Sequence, residues 1–161
     1  MDPEKRKMKI SRIENGTVID HIRPGSATDV FEILGLESDQ SNSISIAIRV
    51  ESEKMGKKDV LKIEDRFLTP QESAMIALIS PHATINIIKS YEVEDKRSVE
   101  LPSTLEGTLQ CGNPNCITNA EREPVTPEFE VISREPLSIR CLYCDNLMEE
   151  TQTKRQLIKQ S

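Results

Sequence analysis

Residues 111–116 read CGNPNC and residues 141–144 read CLYC, and these two stretches decide the fold of the second half of the chain. They place the cysteines in two close pairs, Cys-x4-Cys and Cys-x2-Cys, with 24 residues between the pairs. Zinc binds four thiolates tetrahedrally, and a full set of four sulfur ligands leaves no open position for water. The spacing therefore predicts one structural Zn2+ held by Cys111, Cys116, Cys141 and Cys144.

Two disulfides and a rubredoxin-type iron site are the alternatives to zinc for these cysteines. The start of the chain, MDPEKRK, lacks the apolar core of a secretory signal, and no stretch reaches the roughly 20 apolar residues that cross a bilayer. We therefore expect a cytoplasmic protein with no membrane partner, in which thiols stay reduced and metal binding is favoured over disulfides. The four-residue gap in the first pair makes iron the less favoured metal.

The segment between the two cysteine pairs is poor in apolar residues. Prolines at 124, 127 and 136 interrupt it, which is typical of short strands joined by turns. A unit of roughly 60 residues with so small a core depends on its metal for stability. We therefore expect residues 101–161 to form a small, zinc-bound, all-β domain, with a frayed polar end at 151–161.

The first hundred residues alternate strand-like and helix-like patterns. Residues 44–50, ISIAIRV, put β-branched side chains on one strand face, and Thr69-Pro70-Gln71-Glu72 is a helix start with a capping box. A second helix is expected with Ser26 as its N-cap. The full order is strand, helix, strand, strand, helix, strand, at about 17–22, 27–34, 44–50, 59–64, 70–79 and 83–88.

This order predicts the α+β class, with a ferredoxin-like (split βαβ) domain over residues 1–100. One antiparallel sheet with two helices on a single face would bury the apolar stripes of both helices. Charged residues dominate from 91 to 102, so we expect an irregular connector there, with the domain boundary near residue 100.

The chain carries a formal net charge of -6, from 27 acidic and 21 basic residues, and only 3% of its residues are aromatic. Long-range attraction to nucleic acid and base stacking are therefore not expected. Lysines nevertheless gather near one hairpin, and Lys58, Val60 and Lys62 share a strand face because side chains alternate with period two. With Asp20 and Asn86, this face can hold phosphates, a ribose and a base edge, or it can simply be a solvated, solubilising surface.

No arrangement of nucleophile and base indicates catalysis. The chain has two histidines, His21 and His82, and a lone histidine is more often a hydrogen-bonded structural residue than a general base. Two other functions stay open at this point: a stand-alone zinc ribbon that binds nucleic acid or protein, and a small ferredoxin-like enzyme. Charge and low aromatic content disfavour nucleic acid as a partner, and the lack of a catalytic constellation disfavours the enzyme.

Seven segments of the sequence together are similar to one known family. They are GTVIDHI at 16–22, MGKKD at 55–59, KIE at 62–64, ATIN at 83–86, YEV at 91–93, CGNPNC at 111–116 and CLYC at 141–144. In this order and with these spacings, the chain resembles the regulatory chain of aspartate carbamoyltransferase from about residue 10 to residue 147.

The resemblance implies a non-catalytic regulatory subunit of pyrimidine biosynthesis. In the family, the N-terminal domain binds the nucleotide effectors CTP, ATP and UTP, and the zinc domain docks onto separate catalytic chains. The family's usual assembly is a dodecamer that joins two catalytic trimers through three homodimers of regulatory chains. Allosteric control then passes from the nucleotide site to catalytic chains that carry the enzyme's chemistry.

The resemblance also implies which residues form the effector site. Asp20 and Lys62 are expected to contact the ribose and base region. His21 and Lys96 are expected to contact the phosphates, with Lys58 nearby. The other matching positions of the effector site are Ile10, Ser11, Arg12, Ile13, Val60, Asn86, Ile88, Tyr91 and Val93. The pair Ser11-Arg12 departs from the commoner Glu-Ala at this place in the family.

Overall fold

The computed structural model describes residues 12–38, 42–122 and 125–159. Within them the chain forms two antiparallel sheets with three α-helices, so the α+β class is confirmed. The strands are β1 (Gly16–Ile22), β2 (Ile44–Ser52), β3 (Gly56–Glu64), β4 (Thr84–Lys89), β5 (Glu92–Ser98), β6 (Thr104–Glu106), β7 (Glu128–Arg134), β8 (Leu137–Cys141) and β9 (Leu147–Glu149). The helices are α1 (Ala27–Ile33), α2 (Pro70–Ile79) and α3 (Glu150–Lys159).

The first sheet has the strand order β2-β3-β1-β4-β5. Its first four strands and the helices α1 and α2 follow the predicted βαββαβ order. Ile19 of β1 pairs with Leu61 of β3 and with Ile85 of β4, and the three side chains are 0–2% exposed. Because directly paired residues point to the same side of a sheet, this buried row marks the covered face. Val18 and its cross-strand neighbours lie on the opposite side, which we call the open face.

The two helices begin in different ways. Thr69 accepts a hydrogen bond from the backbone of Glu72, and the Glu72 side chain accepts one from the backbone of Thr69, so the predicted capping box of α2 is present. Ser26 makes no side-chain capping bond to α1. Instead, the buried carboxylate of Asp59 in β3 accepts hydrogen bonds from the backbone N–H groups of Gly25 and Ala27, at 2.8 and 3.1 Å. The start of α1 is therefore fixed to the sheet by Asp59.

The charged segment after β4 is a strand rather than the expected irregular connector. β5 pairs antiparallel with β4 from Thr84 opposite Ser98 to Lys89 opposite Glu92. Ser90 and Tyr91 form the turn between them with positive φ angles of 52° and 68°. All seven residues of β5 are exposed, as suits an edge strand protected by charges. The charges that indicated a connector are thus the outer border of the first sheet.

The second sheet has the order β6-β7-β8-β9, and its interior is small. Phe129, Ile139 and Met148 are fully buried there, and short strands with turns are present as predicted. The expectation of a frayed C-terminal end is wrong for the described residues, because α3 spans Glu150–Lys159. Its Leu157 is buried, and its Lys154 Nζ lies 2.8 Å from Asp29 Oδ2 of α1. The last helix therefore follows the second sheet in the chain but packs beside the first.

Within the described part of the chain, no helix is both long enough and apolar enough to cross a lipid bilayer.

Candidate metal centre and anion-binding face

The four cysteine sulfurs lie together at one end of the second sheet. All four Sγ atoms fall within 4.8 Å of one another. Cys111 Sγ is 3.5 Å from Cys144 Sγ, and Cys116 Sγ is 3.7 Å from Cys141 Sγ. Zn–S bonds of about 2.3 Å at tetrahedral angles place sulfurs roughly 3.8 Å apart. The donor set and its spacing therefore fit a tetrahedral metal ion.

Local hydrogen bonds hold the first cysteine loop in place. The Asn119 side-chain N–H donates to the carbonyl oxygens of Cys111 and Asn113, at 2.9 and 2.7 Å. The Asn113 side chain accepts a hydrogen bond from the backbone of Asn115 at 3.0 Å. The side chains of Asn113 and Asn119 therefore hold the loop that carries two of the sulfurs into the cluster.

The second cysteine pair sits at the end of β8. Cys141 is the last residue of the strand, and its backbone N–H donates to the carbonyl of Asn146 at 2.9 Å. Asp145 closes the turn with a φ of 63°, and its N–H donates to the carbonyl of Cys141 at 2.9 Å. This turn brings Cys144 back beside Cys141, as the Cys-x2-Cys spacing predicts.

In the absence of a cation, the pKa values of these thiols are shifted in different directions. Burial raises the pKa of Cys111 to about 12 and also raises the pKa of Cys141. Burial opposes ionisation of Cys116 too, but hydrogen bonding by Thr118, whose Oγ1 is 3.1 Å from the sulfur, lowers the Cys116 pKa to about 7. A divalent cation at the centre would replace the protons and stabilise all four thiolates.

The open face of the first sheet carries a row of polar and charged residues across its central strands. Val18 pairs with Lys62 on one side and with Asn86 on the other, and Asn86 pairs with Lys96 of β5. Asn86 is buried, and its amide N–H donates to the Val18 carbonyl at 3.4 Å. The register therefore brings two lysines and an amide, widely separated in sequence, into one line.

A second set of polar groups adjoins this row at the end of β1. Lys58 Nζ lies 2.9 Å from Asp20 Oδ1, and the same carboxylate oxygen accepts the backbone N–H of His21 at 2.7 Å. His21 has a positive φ of 56°, and its Nδ1 is hydrogen-bonded to Thr84 Oγ1 at 2.9 Å. Asp20 and His21 are thus held by short contacts to neighbouring strands.

Several cations crowd this region although the chain as a whole is acidic. Burial lowers the pKa of Lys62, and the nearby Arg12 guanidinium lowers it further. Burial also lowers the pKa of His21 below 6.5, where the charge of Asp20 opposes the shift and the charges of Lys58, Lys54 and Lys96 add to it. Positive groups gathered this closely repel one another, so the arrangement favours an anionic ligand.

The remaining sequence-predicted residues fall around the same face or outside the described part. Val60 and Ile88 are buried, and Ile88 pairs with Val93 across the last hairpin. Tyr91 and Val93 are more than half exposed. Arg12 is exposed and Ile13 is buried, whereas Ile10 and Ser11 lie outside the described residues. Sequence reasoning did not assign Thr84 to the site, and it placed Lys54 only among the lysines that gather near the hairpin. Thr84 stands two residues before Asn86, so the period-two rule could have indicated it.

Fold and site together define a two-sheet protein with a candidate metal centre and a cationic face. Two families of known protein domains match this chain, one in each half. The family "Aspartate carbamoyltransferase regulatory chain, allosteric domain" matches residues 8–100, and the corresponding "metal binding domain" family matches residues 103–154. The chain belongs to the family of aspartate carbamoyltransferase regulatory chains.

Curated relatives agree with this assignment over almost the whole chain. The regulatory chain of Thermoplasma acidophilum is 53% identical over 91% of this chain and 96% of its own length. Those of Thermofilum pendens and Pyrococcus furiosus are 48% and 50% identical, covering 92% and 89% of this chain and 94% of their own lengths. The protein is accordingly a regulatory chain and not a catalytic one, and its metal-binding domain contains the four clustered cysteines.

Proposed function

We propose that this chain binds the nucleotide effectors CTP, ATP and UTP on the open face of its first sheet and passes their effect to aspartate carbamoyltransferase catalytic chains. The observation that carries the proposal is the row Lys62, Val18, Asn86 and Lys96, with Asp20 and His21 beside it. Cations, a carboxylate and an amide on one face match the phosphates, ribose hydroxyls and base edge of a nucleotide.

Each polar group has a task in this proposal. Lys96 and His21 bind the phosphates, with Lys58 as a further cation, while Lys62 and the Asp20 carboxylate contact the ribose and base region. The buried Asn86 amide is fixed by its neighbouring strand and presents hydrogen-bonding groups toward the base. Val60, Ile88, Tyr91 and Val93 supply apolar surface, and we assign contacts with the base to residues 10–13 from the sequence resemblance. A phosphate also relieves the repulsion among the gathered cations.

The metal-binding domain, residues 101–161 in this proposal, holds one structural Zn2+ through four thiolates and presents the surface that docks the catalytic chain. Exposed apolar side chains flank the cysteine loops, namely Ile117, Leu142, Tyr143 and Leu147. Large exposed apolar residues grouped on one surface are typical of an interface. The ion has no open coordination position, so its contribution is to fix the shape of this surface.

Regulation then follows from linkage. A nucleotide bound to residues 1–100 changes catalysis only if it binds one quaternary state more tightly than the other. We propose that the chain forms homodimers, that three dimers join two catalytic trimers in a dodecamer, and that the assembly works in the cytoplasm. A reducing compartment keeps the four cysteines available for zinc.

Titration calorimetry of CTP and ATP against the zinc-loaded chain tests the effector site. Lys62→Ala removes a cation from the row and should weaken binding about tenfold or more, because a hydrogen bond from a charged, partly buried donor to the ribose or base is lost. Lys89→Ala is the matched control, since Lys89 lies in the same sheet but contacts Glu94 and the Phe67 ring. Equal affinities for the two variants, with unchanged zinc content, would contradict the assignment of the site.

A further inference from the structure

Two strands of the effector site are joined to each other at their ends. Thr84 of β4 pairs with Asp20 of β1, and the adjacent His21 reaches it through its side chain, with Nδ1 hydrogen-bonded to Thr84 Oγ1 at 2.9 Å. A ligand that contacts His21 therefore acts on the end of β1 and on the beginning of β4 together.

Both strands reach one carboxylate of the metal-binding domain within two residues of this bond. Arg23, two residues after His21, places Nη2 at 3.6 Å from Glu135 Oε1. His82, two residues before Thr84, donates from Nε2 to Glu135 Oε2 at 2.9 Å. Each oxygen of Glu135 thus contacts a residue just outside a different strand of the first sheet, Arg23 after β1 and His82 before β4. Arg23 also pairs with Glu150 at the start of α3.

Glu135 leads directly to the metal centre on its other side. It lies in the turn between β7 and β8, and β8 runs from Leu137 to Cys141, which carries one of the four clustered sulfurs. The neighbouring Arg134 donates from Nη1 to the Leu101 carbonyl at 2.7 Å, which attaches the same turn to the segment between the sheets. The five residues of the paired strand β8 therefore connect Glu135 to the cysteine site.

The surroundings of Glu135 leave room for such a displacement. A cleft of about 1030 Å³ lies between the two sheets, and it is lined by His82, Arg97, Glu100, Arg134 and Glu135 together with apolar residues of α2. Side chains of Arg23, His82 and Glu135 are between 38% and 58% exposed, so these contacts are not locked by dense packing. Polar contacts across a cleft can change partners at lower cost than a packed apolar interface.

We propose that Glu135 is the coupling residue between the nucleotide site and the metal-binding domain. It senses the ends of β1 and β4 through Arg23 and His82, and it passes their position along β8 to the loops around the metal centre. This inference rests on the proposed function, because it needs a nucleotide at His21. It names the route by which effector binding alters the surface that docks a catalytic chain.

Hydrogen exchange on the full zinc-loaded chain, with and without saturating CTP, tests this route. CTP should change the exchange rates of the β8 amides, residues 137–141, in the native chain. Glu135→Gln removes the carboxylate charge and should reduce that change roughly twofold or more, because two polar contacts to the first sheet weaken. CTP affinity and zinc content should stay as they are in the native chain.

Glu130→Gln is the matched control. Glu130 is exposed to a similar degree and pairs with Arg140 inside the second sheet, at 2.6 Å, without contacting the first sheet in the described residues. The proposal is supported if only Glu135→Gln loses the response. It is overturned if both variants respond as the native chain does, or if the native β8 amides do not respond to bound CTP. Absence of CTP binding to the native chain is a different result, since it refutes the effector site itself.

Discussion

The two sheets of this chain reach stability in different ways. In the first sheet, two helices cover one face, and a continuous apolar core including Ile19, Leu61 and Ile76 is fully buried. In the second sheet, two of the four strands have only three residues, and three of the four cysteines belong to the buried set. From this difference we predict that area removed from water stabilises the first sheet, whereas a cross-linking ion supplies part of the stability of the second.

Removal of the metal should have the largest effect, and it should act on the second sheet only. Cys144→Ser or a strong chelator should unfold the second sheet while the first stays folded, because structural zinc sites contribute on the order of 10 kcal/mol to folding. Zinc content and residue-resolved hydrogen exchange measure the result. Tyr143→Ser is the control, since Tyr143 lies between the two cysteines, is 47% exposed and is not a ligand. Full retention of the second sheet in Cys144→Ser would contradict the account.

A cavity in the first sheet should have the next largest effect. Ile19→Ala removes a fully buried side chain and should lower the free energy of unfolding by about 2–5 kcal/mol, because the lost transfer energy and the cavity add together. Ile46→Ala, at a site that is 39% exposed, should change it by less than about 1 kcal/mol. Denaturant unfolding of the zinc-loaded chain measures both, and similar losses would show that the core is not where the structure places it.

The next effect concerns the first sheet alone, where the protonation of His21 should depend on bound nucleotide. Its pKa lies below 6.5 in the free chain because burial disfavours the imidazolium. A bound phosphate favours the charged form, so CTP should raise this pKa by about one unit or more, and the imidazole should take up a proton between the two values. Proton NMR titration with and without CTP measures the change, and His21→Gln identifies the resonance. A pKa that stays the same or falls would place the phosphates elsewhere.

The contact between α3 and α1 should have the smallest effect. Lys154→Ala removes the ion pair with Asp29. The Lys154 side chain is 41% exposed, so solvent screening limits the loss of unfolding free energy to about 0–1 kcal/mol. Urea unfolding monitored for each sheet separately measures it. A loss as large as that of Ile19→Ala would mean that α3, rather than the apolar core, holds the two sheets together.

Local patterns in the sequence were sufficient for the first four strands, the helix α2 and the clustering of the four cysteines. Alternating isoleucines mark β2, Thr69 and Glu72 mark the start of α2, and the cysteine spacing marks the metal centre. The strands and the helix start depend on residues that are close in sequence, and the cysteine cluster depends on a side chain that has few other roles. The cationic face could also be predicted from the alternation of side chains along β3, because alternation places Lys58 and Lys62 on the same side of the strand.

Features that depend on distant partners were not predictable in this way. β5 is recognised only by its pairing with β4, since its charged sequence is also typical of a connector. Asp59 caps a helix that begins 32 residues earlier in the chain. Glu135 contacts His82 and Arg23 across 53 and 112 positions, and no local pattern encodes such a contact. Tertiary packing, rather than propensity, determines these three features.

Aspartate saturation of the catalytic chains tests the central claim most directly. The catalytic aspartate carbamoyltransferase of the same organism would be measured alone and after mixing with this zinc-loaded chain, each with and without CTP or ATP. The account predicts that the proteins associate and that nucleotides shift the half-saturating aspartate concentration only in the mixture. Association without any nucleotide response would contradict the effector site, and failure to associate would contradict the regulatory function as a whole.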